Sequence, residues 1–352
     1  MTGSPRVSCI LAVWNGAAYL ADALRSILSQ TFRDFELITV DDGSTDGTLS
    51  ILERFQREDG RIRLFRQAHS GLVAALNRGV ALALGEYFAR MGADDISMPE
   101  RFEVQVNYLD RHHDVGICGV WVETFGDGRG EIIRYPCDDG TIRSRLLFES
   151  ALAHPSVMLR RNVLERHGLG YDVTALHAED YDLWVRAARH TRFANIPSVL
   201  LHYRIHPQQV GRRHEEAADG SVRRIRSAQL NDMGIQPTEQ ESNLHQDLSG
   251  WRVKSTPEFL QATREWLCKL KGANAVVHRY PQAEFRVALS QRWAKVCAAA
   301  TFGGIRTLAE FWRAPRLAFP GMTPFQHFKF AVKCLIRKDP QTPFVKVGRV
   351  AN

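Results

Sequence analysis

The chain has 352 residues, 44% of them hydrophobic, which is enough for one large globular domain or two ordinary ones and too apolar for a disordered chain. Its net charge of +7 is local: from Thr301 to Asn352 nine Lys or Arg stand against two acids, Glu310 and Asp339, and the body is near neutral. That distribution excludes a nucleic-acid-coating protein. The six cysteines are scattered singly without metal-ligand spacing, with Cys9 and Cys118 inside apolar runs, and read as reduced thiols of a cytoplasmic protein. No N-terminal signal pattern is present, nor an apolar run of the roughly 18 residues that a membrane span needs.

The first predicted element is a strand over Val7–Val13, continuously apolar in the manner of a central parallel strand. Asn15 and Gly16 turn the chain into a helix with Leu20, Leu24, Ile27 and Leu28 on one face. The G-x-G-x-x-G spacing of a dinucleotide-binding unit is absent here. A second strand, Glu36–Val40, runs into DDGSTDGT: Asp41 and Asp42 end the strand, Gly43 and Ser44 turn, and Asp46 or Thr45 caps a helix carrying Leu49, Leu52 and Phe55. An acid at such a turn either accepts from a nucleobase N–H or a ribose hydroxyl, or holds the turn by accepting from backbone amides. A third strand near Arg61–Phe65 precedes a helix with Val73, Leu76, Val80 and Leu84 on its buried face.

The stretch VALALGEYFARMGADDISMPER then breaks at Gly85, forms a buried strand over Tyr87–Met91, and ends in Asp94 and Asp95 before Pro99 opens the next helix. Carboxylates at the carboxyl edge of a sheet lie where open α/β folds bind ligands. Hard cations such as Mg²⁺ or Mn²⁺ take oxygen ligands there and bridge to substrate phosphates. The competing reading is that both acids cap the helix entered at Pro99. Strand-helix-strand alternation repeated three times predicts an α/β fold, Rossmann-like, with a mostly parallel sheet and flanking helices.

Further along, HAEDYDLWVRAARH predicts a helix with Leu183, Trp184, Ala187 and Ala188 buried and with Glu179 and Asp180 in the first turn, where the helix dipole favours acids as simple caps. Trp184 and Trp121 read as core rather than sugar platforms. After Gly211 the chain becomes a charged connection, and helical spacing returns over Pro257–His278 and Gln282–Thr301. In the tail, Thr323 and Pro324 start a helix with Phe325, Phe328, Val332, Leu335 and Ile336 on one face, while Lys329, Lys333 and Arg337 recur on another. Such a helix either lies in an anionic membrane surface or packs on its own domain or a dimer partner.

Seven segments in sequence order between Arg6 and His206 carry a resemblance: VSCILAVWNG, Ser29-Gln30-Thr31, VDDGSTDGT, Asn77-Arg78-Gly79, GEYFARMGADDISMPER, HPSVMLRR and HAEDYDLWVRAA. Together they resemble family 2 glycosyltransferases with a GT-A fold. The resemblance implies a GT-A domain over 1–210; the residues beyond it read as a charged connection over 211–250 and a smaller helical C-terminal region over 251–352 with a basic amphipathic tail. It matches Asp42 to the family residue that bonds the nucleotide base, near the Ala12 backbone, with Asn15, Asn77, Arg78 and Asp95 joining the donor-binding set. Asp94 matches the last acid of the family's DxD motif, which holds a divalent metal, Mn²⁺ or Mg²⁺, against the donor diphosphate. Gly92 stands where many members have the first Asp, so the usual acidic contact towards the ribose is missing.

Asp180, with Glu179 beside it, matches the family's catalytic base, which takes the proton of an acceptor hydroxyl during a single inverting displacement. His154 and Pro155 match a segment beneath the acceptor site. Tyr203, Arg204 and His206 resemble a stretch that reaches the diphosphate or the metal: an Arg suits a bidentate phosphate contact, and a His binds metal or phosphate unless it is merely exposed. The implied protein is an inverting, metal-dependent hexosyltransferase working at the inner face of the cell membrane. It would move a sugar from a nucleotide-diphosphate donor, a UDP-sugar, to a glycan or lipid-linked acceptor in surface polysaccharide synthesis. Two rivals remain: a sugar-nucleotidyltransferase, which needs a Gly- and Arg-rich phosphate loop that WNGAAYL lacks, and a catalytically silent nucleotide-sugar-binding module, which the Gly92 departure permits.

Overall fold

The computed structural model describes residues 4–127, 130–207, 215–314 and 323–336. The described residues divide into two compact units: one holds those up to Ile142 and from Ser150 to Val222, and the other holds Arg143–Glu149 and those from Arg223 onward.

The first unit is built on a nine-stranded sheet. Strands β1 (Val7–Val13), β2 (Phe35–Asp41), β3 (Ile62–Arg66) and β4 (Tyr87–Arg90) are parallel and lie in the order β3-β2-β1-β4. Helices α1 (Leu20–Leu28), α2 (Thr48–Glu58) and α3 (Leu72–Leu82) connect them. Every residue of β1 and β2 is buried, as the continuous apolar runs require of strands covered on both faces. The remaining strands are β5 (Ile96–Ser97), β6 (Val115–Gly126), β7 (Ile132–Ile133), β8 (Met158–Arg160) and β9 (Arg192–Ile205). The order continues from β4 as β8-β6-β9-β5, with β7 paired off β6. Here the sheet is mixed: β8 is antiparallel to β4 and β6, β6 is parallel to β9, and β5 is antiparallel to β9. Helices α4 (Arg101–Arg111), α5 (Asp139–Leu146), α6 (Arg161–His167) and α7 (Glu179–Ala187) complete the order.

Two local expectations shift. The buried face of α3 is Val73, Ala75, Leu76 and Gly79, whereas Leu84 lies beyond the helix and is exposed. The chain leaves α3 so close to β1 that a Cβ on Gly85 would stand 2.6 Å from the Ser8 nitrogen, which explains the break there. The helix after Pro99 begins at Arg101, with neither Asp94 nor Asp95 as its cap. Instead Gln30 holds that entry: its Oε1 accepts from the Phe102 N–H at 2.9 Å and its Nε2 donates to the Met98 carbonyl at 2.7 Å. Beside it the Thr31 N–H donates to the Pro99 carbonyl at 2.8 Å, so the Ser29-Gln30-Thr31 step fastens the end of α1 to the loop that follows the paired acids.

The second unit is helical, with the later part of α8 (Glu215–Asp232), then α9 (Glu239–Ser249), α10 (Pro257–Val277), α11 (Gln282–Ala299), α12 (Ile305–Trp312) and α13 (Pro324–Leu335). Its core gathers Trp266, Phe285, Trp293, Phe311 and Phe330. The segment expected as a connection over 211–250 instead contributes Leu230, Met233, Ile235 and Leu248 to that core. Its polar composition misleads because the buried face of α9 is itself polar: His245, Gln246 and Ser249 are all buried. The His245 Nε2–H donates to the Leu147 carbonyl at 3.2 Å and its Nδ1 accepts from the Trp266 indole N–H at 3.2 Å, which satisfies a neutral ring. Burial pushes the His245 imidazole down to about 3. In α13 it is Phe330 and Cys334 that are buried, while Phe325, Phe328, Val332, Leu335 and Ile336 face outward. Arg337, the third cation of the expected basic stripe, lies outside the described residues. Among the described residues no helix is long and apolar enough to cross a membrane.

Candidate active site

The carboxyl ends of β1, β2 and β4 carry the predicted residues of the first half of the site. At the end of β2, Asp41 and Asp42 are buried. Asp41 Oδ1 accepts from the Ser44 N–H at 3.2 Å and holds the turn in which Gly43 takes a φ of 72°. Asp42 is bound more fully: Oδ1 accepts from Gln67 Nε2 at 2.7 Å and from the Ser70 N–H at 2.9 Å, and Oδ2 accepts from the Gly71 N–H at 2.8 Å, with His69 Nδ1 also 2.8 Å away. These four partners fill the acceptor directions of a carboxylate. Asn15, in the left-handed region with a φ of 52°, bridges the first two turns: its side-chain oxygen accepts from the Thr45 N–H at 2.8 Å and its N–H donates to Ser44 Oγ at 2.9 Å. Ala12 lies one residue before the end of β1, paired with Val40.

Sequence reasoning passed over Trp14. Its indole is 49% exposed and stacks on the His69 ring at a centroid distance of 4.4 Å. An exposed aromatic on the loop leaving a central strand, beside a buried acid, is a platform for a planar ring. The signal available in the sequence was its place, a large apolar side chain directly after seven buried residues. Asn77 acts on a distant stretch of main chain, and Arg78 adjoins the Asp42 group through Gln67, to whose Oε1 it donates at 3.4 Å. Asn77 holds the main chain of Tyr171 through both amide ends, at 2.8 Å and 3.0 Å, and Arg78 donates to the Arg66 carbonyl at 2.7 Å.

After β4 the chain passes Gly92 and reaches Asp94 and Asp95, and the pairing of β5 with β9 brings the end of β9 to them. Arg204 and His206 are positioned in this way. The Arg204 N–H donates to Asp95 Oδ1 at 3.0 Å and its Nε donates to the Asp94 carbonyl at 2.7 Å, while its guanidinium lies over the rings of Tyr19 and Phe125, each at 4.3 Å. His206 Nε2 is 3.0 Å from Asp94 Oδ2. The two acids differ in setting. Asp95 is buried, and burial, with the neighbouring Asp94 charge, pushes its carboxyl up to about 8. Asp94 keeps 31% side-chain exposure, with Oδ2 against His206 and Oδ1 beside Gly92.

Gly92 has a steric reason. A Cβ built there would stand 2.3 Å from Asp95 Oδ2 and 2.9 Å from Asp94 Oδ1. The space that a first motif acid would use is occupied by the second pair's carboxylates, so the departure at Gly92 is coupled to the buried position of Asp95.

The third group stands on α7. Glu179 and Asp180 begin the helix without capping it by side-chain hydrogen bonds. Glu179 is buried and its carboxyl is pushed up to about 7, by burial first and then by the adjacent Asp180 charge. The Asp180 carboxyl is also raised by burial, against the opposing hydrogen bond from the Tyr181 N–H. Nearby, His154 Nε2 meets the Tyr171 hydroxyl at 2.9 Å, and burial holds the His154 ring neutral. Trp184 is fully buried beneath this helix as core, and Trp121 donates its indole N–H to the Tyr135 carbonyl at 2.9 Å.

Arg90, the last residue of β4, is a second residue that sequence reasoning missed. Its charge lowers the carboxyls of Asp95, Glu179 and Asp180 alike, which places it within electrostatic reach of both acid groups. Its Nε is buried without a hydrogen-bond partner among the described residues. A cation inside an otherwise apolar strand was the signal. Arg101, fully buried in α4, fixes this strand end by donating to the Arg90 carbonyl at 3.2 Å and to the Pro155 carbonyl at 2.8 Å.

Comparison with known proteins gives these positions a context. Residues 8–168 match the family model described as glycosyl transferase family 2. A Haemophilus influenzae protein described as an uncharacterized glycosyltransferase is 31% identical over 250 residues, covering 67% of this chain and 77% of its own. The Escherichia coli O-antigen biosynthesis glycosyltransferase WbnJ is 32% identical over 207 residues, covering 57% of this chain and 80% of its own. The solved structure of Staphylococcus aureus TarS 1–349 in complex with UDP-GlcNAc superposes with a TM-score of 0.56 at 17% identity, covering 88% of this chain and 92% of that one, and so shares the fold. With its GT-A sheet, its paired acids at the strand ends and these relatives, the chain belongs to glycosyltransferase family 2.

Proposed function

We propose that the protein is an inverting, metal-dependent hexosyltransferase that moves a sugar from a nucleotide-diphosphate donor, a UDP-sugar, to a glycan or lipid-linked saccharide. The observation that carries this reading is the contrast between two acid groups of the first unit. Asp94 is partly exposed and joined by the His206 imidazole, while the carboxyls of Glu179 and Asp180 are raised, by burial first. A partly exposed carboxylate suits a bound cation, and a raised carboxyl suits a proton acceptor.

The donor set at Asp94 and His206 fits a divalent metal that takes its other ligands from phosphate and water. Among the described residues no group of three or more His, Cys, Asp or Glu could hold an ion by itself, and Mg²⁺ and its relatives are commonly bound through one or two carboxylates plus substrate phosphates. When bound, such a cation supplies Lewis-acid stabilisation of charge on the leaving diphosphate. Arg204, immobilised between two rings and hydrogen-bonded to the Asp94 main chain, fixes the loop that carries Asp94.

Asp180 takes the proton of the acceptor hydroxyl as that oxygen forms its bond to the anomeric carbon and the bond to the diphosphate breaks. A single displacement of this kind inverts the anomeric configuration. The Arg90 charge lowers the carboxyl of the half-buried base against the effect of desolvation, and general-base removal of the proton contributes about 10²–10⁴-fold in rate. The exposed Trp14 offers its face to the base of the nucleotide. A uracil N–H would reach Asp42 only by taking the place of the His69 Nδ1–H. The O-antigen biosynthesis role of the Escherichia coli relative supports surface polysaccharide synthesis as the pathway, and the inner face of the cell membrane is the place this reading assigns.

The test is donor binding and slow donor hydrolysis with purified protein and Mn²⁺ or Mg²⁺ across UDP-, GDP- and dTDP-sugars, with Asp94→Ala as control. Metal-dependent binding and hydrolysis of a UDP-sugar, lost in Asp94→Ala, is the expected result. A protein that binds a donor but neither hydrolyses nor transfers it is a silent binding module, and one that binds none under either metal has no donor site here.

A further inference from the structure

We infer that the outward face of α13 docks the protein on an anionic lipid bilayer. The helix has two apolar faces, of which one is used. Phe330 and Cys334 are buried in the second unit, with the Phe330 ring 4.7 Å from that of Phe311 on α12. The opposite face, Phe325, Phe328, Leu335 and Ile336, is 61–68% exposed at each residue. Among the described residues nothing covers this face, so packing on its own domain, one of the alternatives open from the sequence, does not account for it. Single exposed apolar residues are ordinary, but four on one helical face over three turns mark an interaction surface.

Charge selects the occupant. The sequence of α13, PFQHFKFAVKCL, contains no acid, and Lys329 and Lys333 flank the apolar stripe on the same side. Its capping box is uncharged, made by Thr323 and Gln326 where a Glu is the common partner. Over Thr301–Asn352 nine cations stand against two acids. A second copy of this chain would bring the same excess positive charge to the contact and be repelled. A bilayer with anionic headgroups meets both features, taking the rings and aliphatic side chains at the level of the acyl boundary and the lysines among the phosphates. Nothing in this surface depends on the transferase chemistry, so either reading can fail alone.

The experiment is co-sedimentation of the full chain with large vesicles of phosphatidylcholine alone or of phosphatidylcholine with phosphatidylglycerol, alongside sedimentation equilibrium without lipid. The wild type is expected to bind the anionic vesicles and not the neutral ones. The double variant Phe325→Ser/Phe328→Ser should bind them at least ~10-fold more weakly, and Lys329→Glu/Lys333→Glu ~30-fold or more, since each of the two cations near an anionic surface contributes about 1 kcal/mol. Unchanged melting temperatures and donor hydrolysis establish that the variants remain folded. Equal binding to neutral vesicles, no binding to either kind, unaltered binding of the Phe double variant, or a wild-type dimer that the Phe double variant dissociates would each overturn the inference.

Discussion

His206 Nε2 lies 3.0 Å from Asp94 Oδ2, a contact made because the short strand β5 pairs with β9 and draws the end of β9 over the loop after β4. If the pair shares a divalent cation, His206→Ala lowers metal-dependent donor affinity by about 10–100-fold, the range found when metal-site partners are removed. Calorimetric titration of nucleotide with and without Mn²⁺ measures it. Equal loss with and without metal would make His206 a positioning residue only.

Replacing Gly92 by Asp is expected to weaken donor binding and not to complete a DxD motif. The new Cβ would meet Asp95 Oδ2 at 2.3 Å, so the buried carboxylate must move and its hydrogen bond from the Arg204 N–H is put at risk. Gly92→Ala, with the smallest possible Cβ, should show most of the same loss. A Gly92→Asp enzyme with tighter metal or donor binding would contradict this account.

Trp14→Ala should leave folding unchanged, because the indole is half exposed, and should weaken binding of the free nucleoside diphosphate. Aromatic stacking on a base contributes about 1–3 kcal/mol, or ~5–150-fold in affinity. Trp14→Phe should restore most of it. Titration of nucleoside diphosphate followed by the quenching of indole fluorescence gives the dissociation constants.

The acidic limb of the pH profile for kcat/KM should lie above the ordinary carboxylate range. The base must be ionised to act, burial raises both Glu179 and Asp180, and the two titrate as a pair. Activity therefore falls as pH drops through the raised value. Glu179→Gln deletes the titration that the Asp180 charge helps to raise, and should leave the limb in place, because Glu179 is still protonated when Asp180 ionises. A limb that moves in this variant would show that Glu179 sets it.

A separate pH effect belongs to the helical unit. His245 is neutral when folded, with its value held at about 3, whereas an unfolded His takes up its proton near 6.5. The unfolded state binds more protons throughout that window, so stability present above about pH 6.5 is lost as pH falls, at up to ~1.4 kcal/mol per unit. Thermal melts of wild type and His245→Gln at pH 7 and pH 4.5 should show the wild type losing more of its melting temperature on acidification, although the variant starts lower.

Much of the first unit was legible because its strands are continuous apolar runs that end in acids, a pattern with a single placement in a parallel sheet. Residues Val7–Val13 form β1 over the range read from the sequence, Asp41 and Asp42 fall at the end of β2, and Asp94 and Asp95 lie in the loop between β4 and β5. What could not be read depended on pairing. Nothing local to Ile96 and Ser97 announces a strand two residues long, yet that strand brings Arg204 and His206 to the acids. The roles of Gln30 and Asn77 were hidden because each acts on main chain many residues away. In the second unit, the polar buried face of α9 defeated a reading based on hydropathy.

The central claim is that proton removal and donor binding rest on different acids. Donor affinity and transfer rate measured on one preparation of Asp180→Asn test it most directly. The account predicts donor affinity within ~3-fold of wild type and a kcat reduced by about 10²–10⁴-fold. A variant that transfers sugar at the wild-type rate, or one that loses donor binding as far as it loses rate, would contradict it.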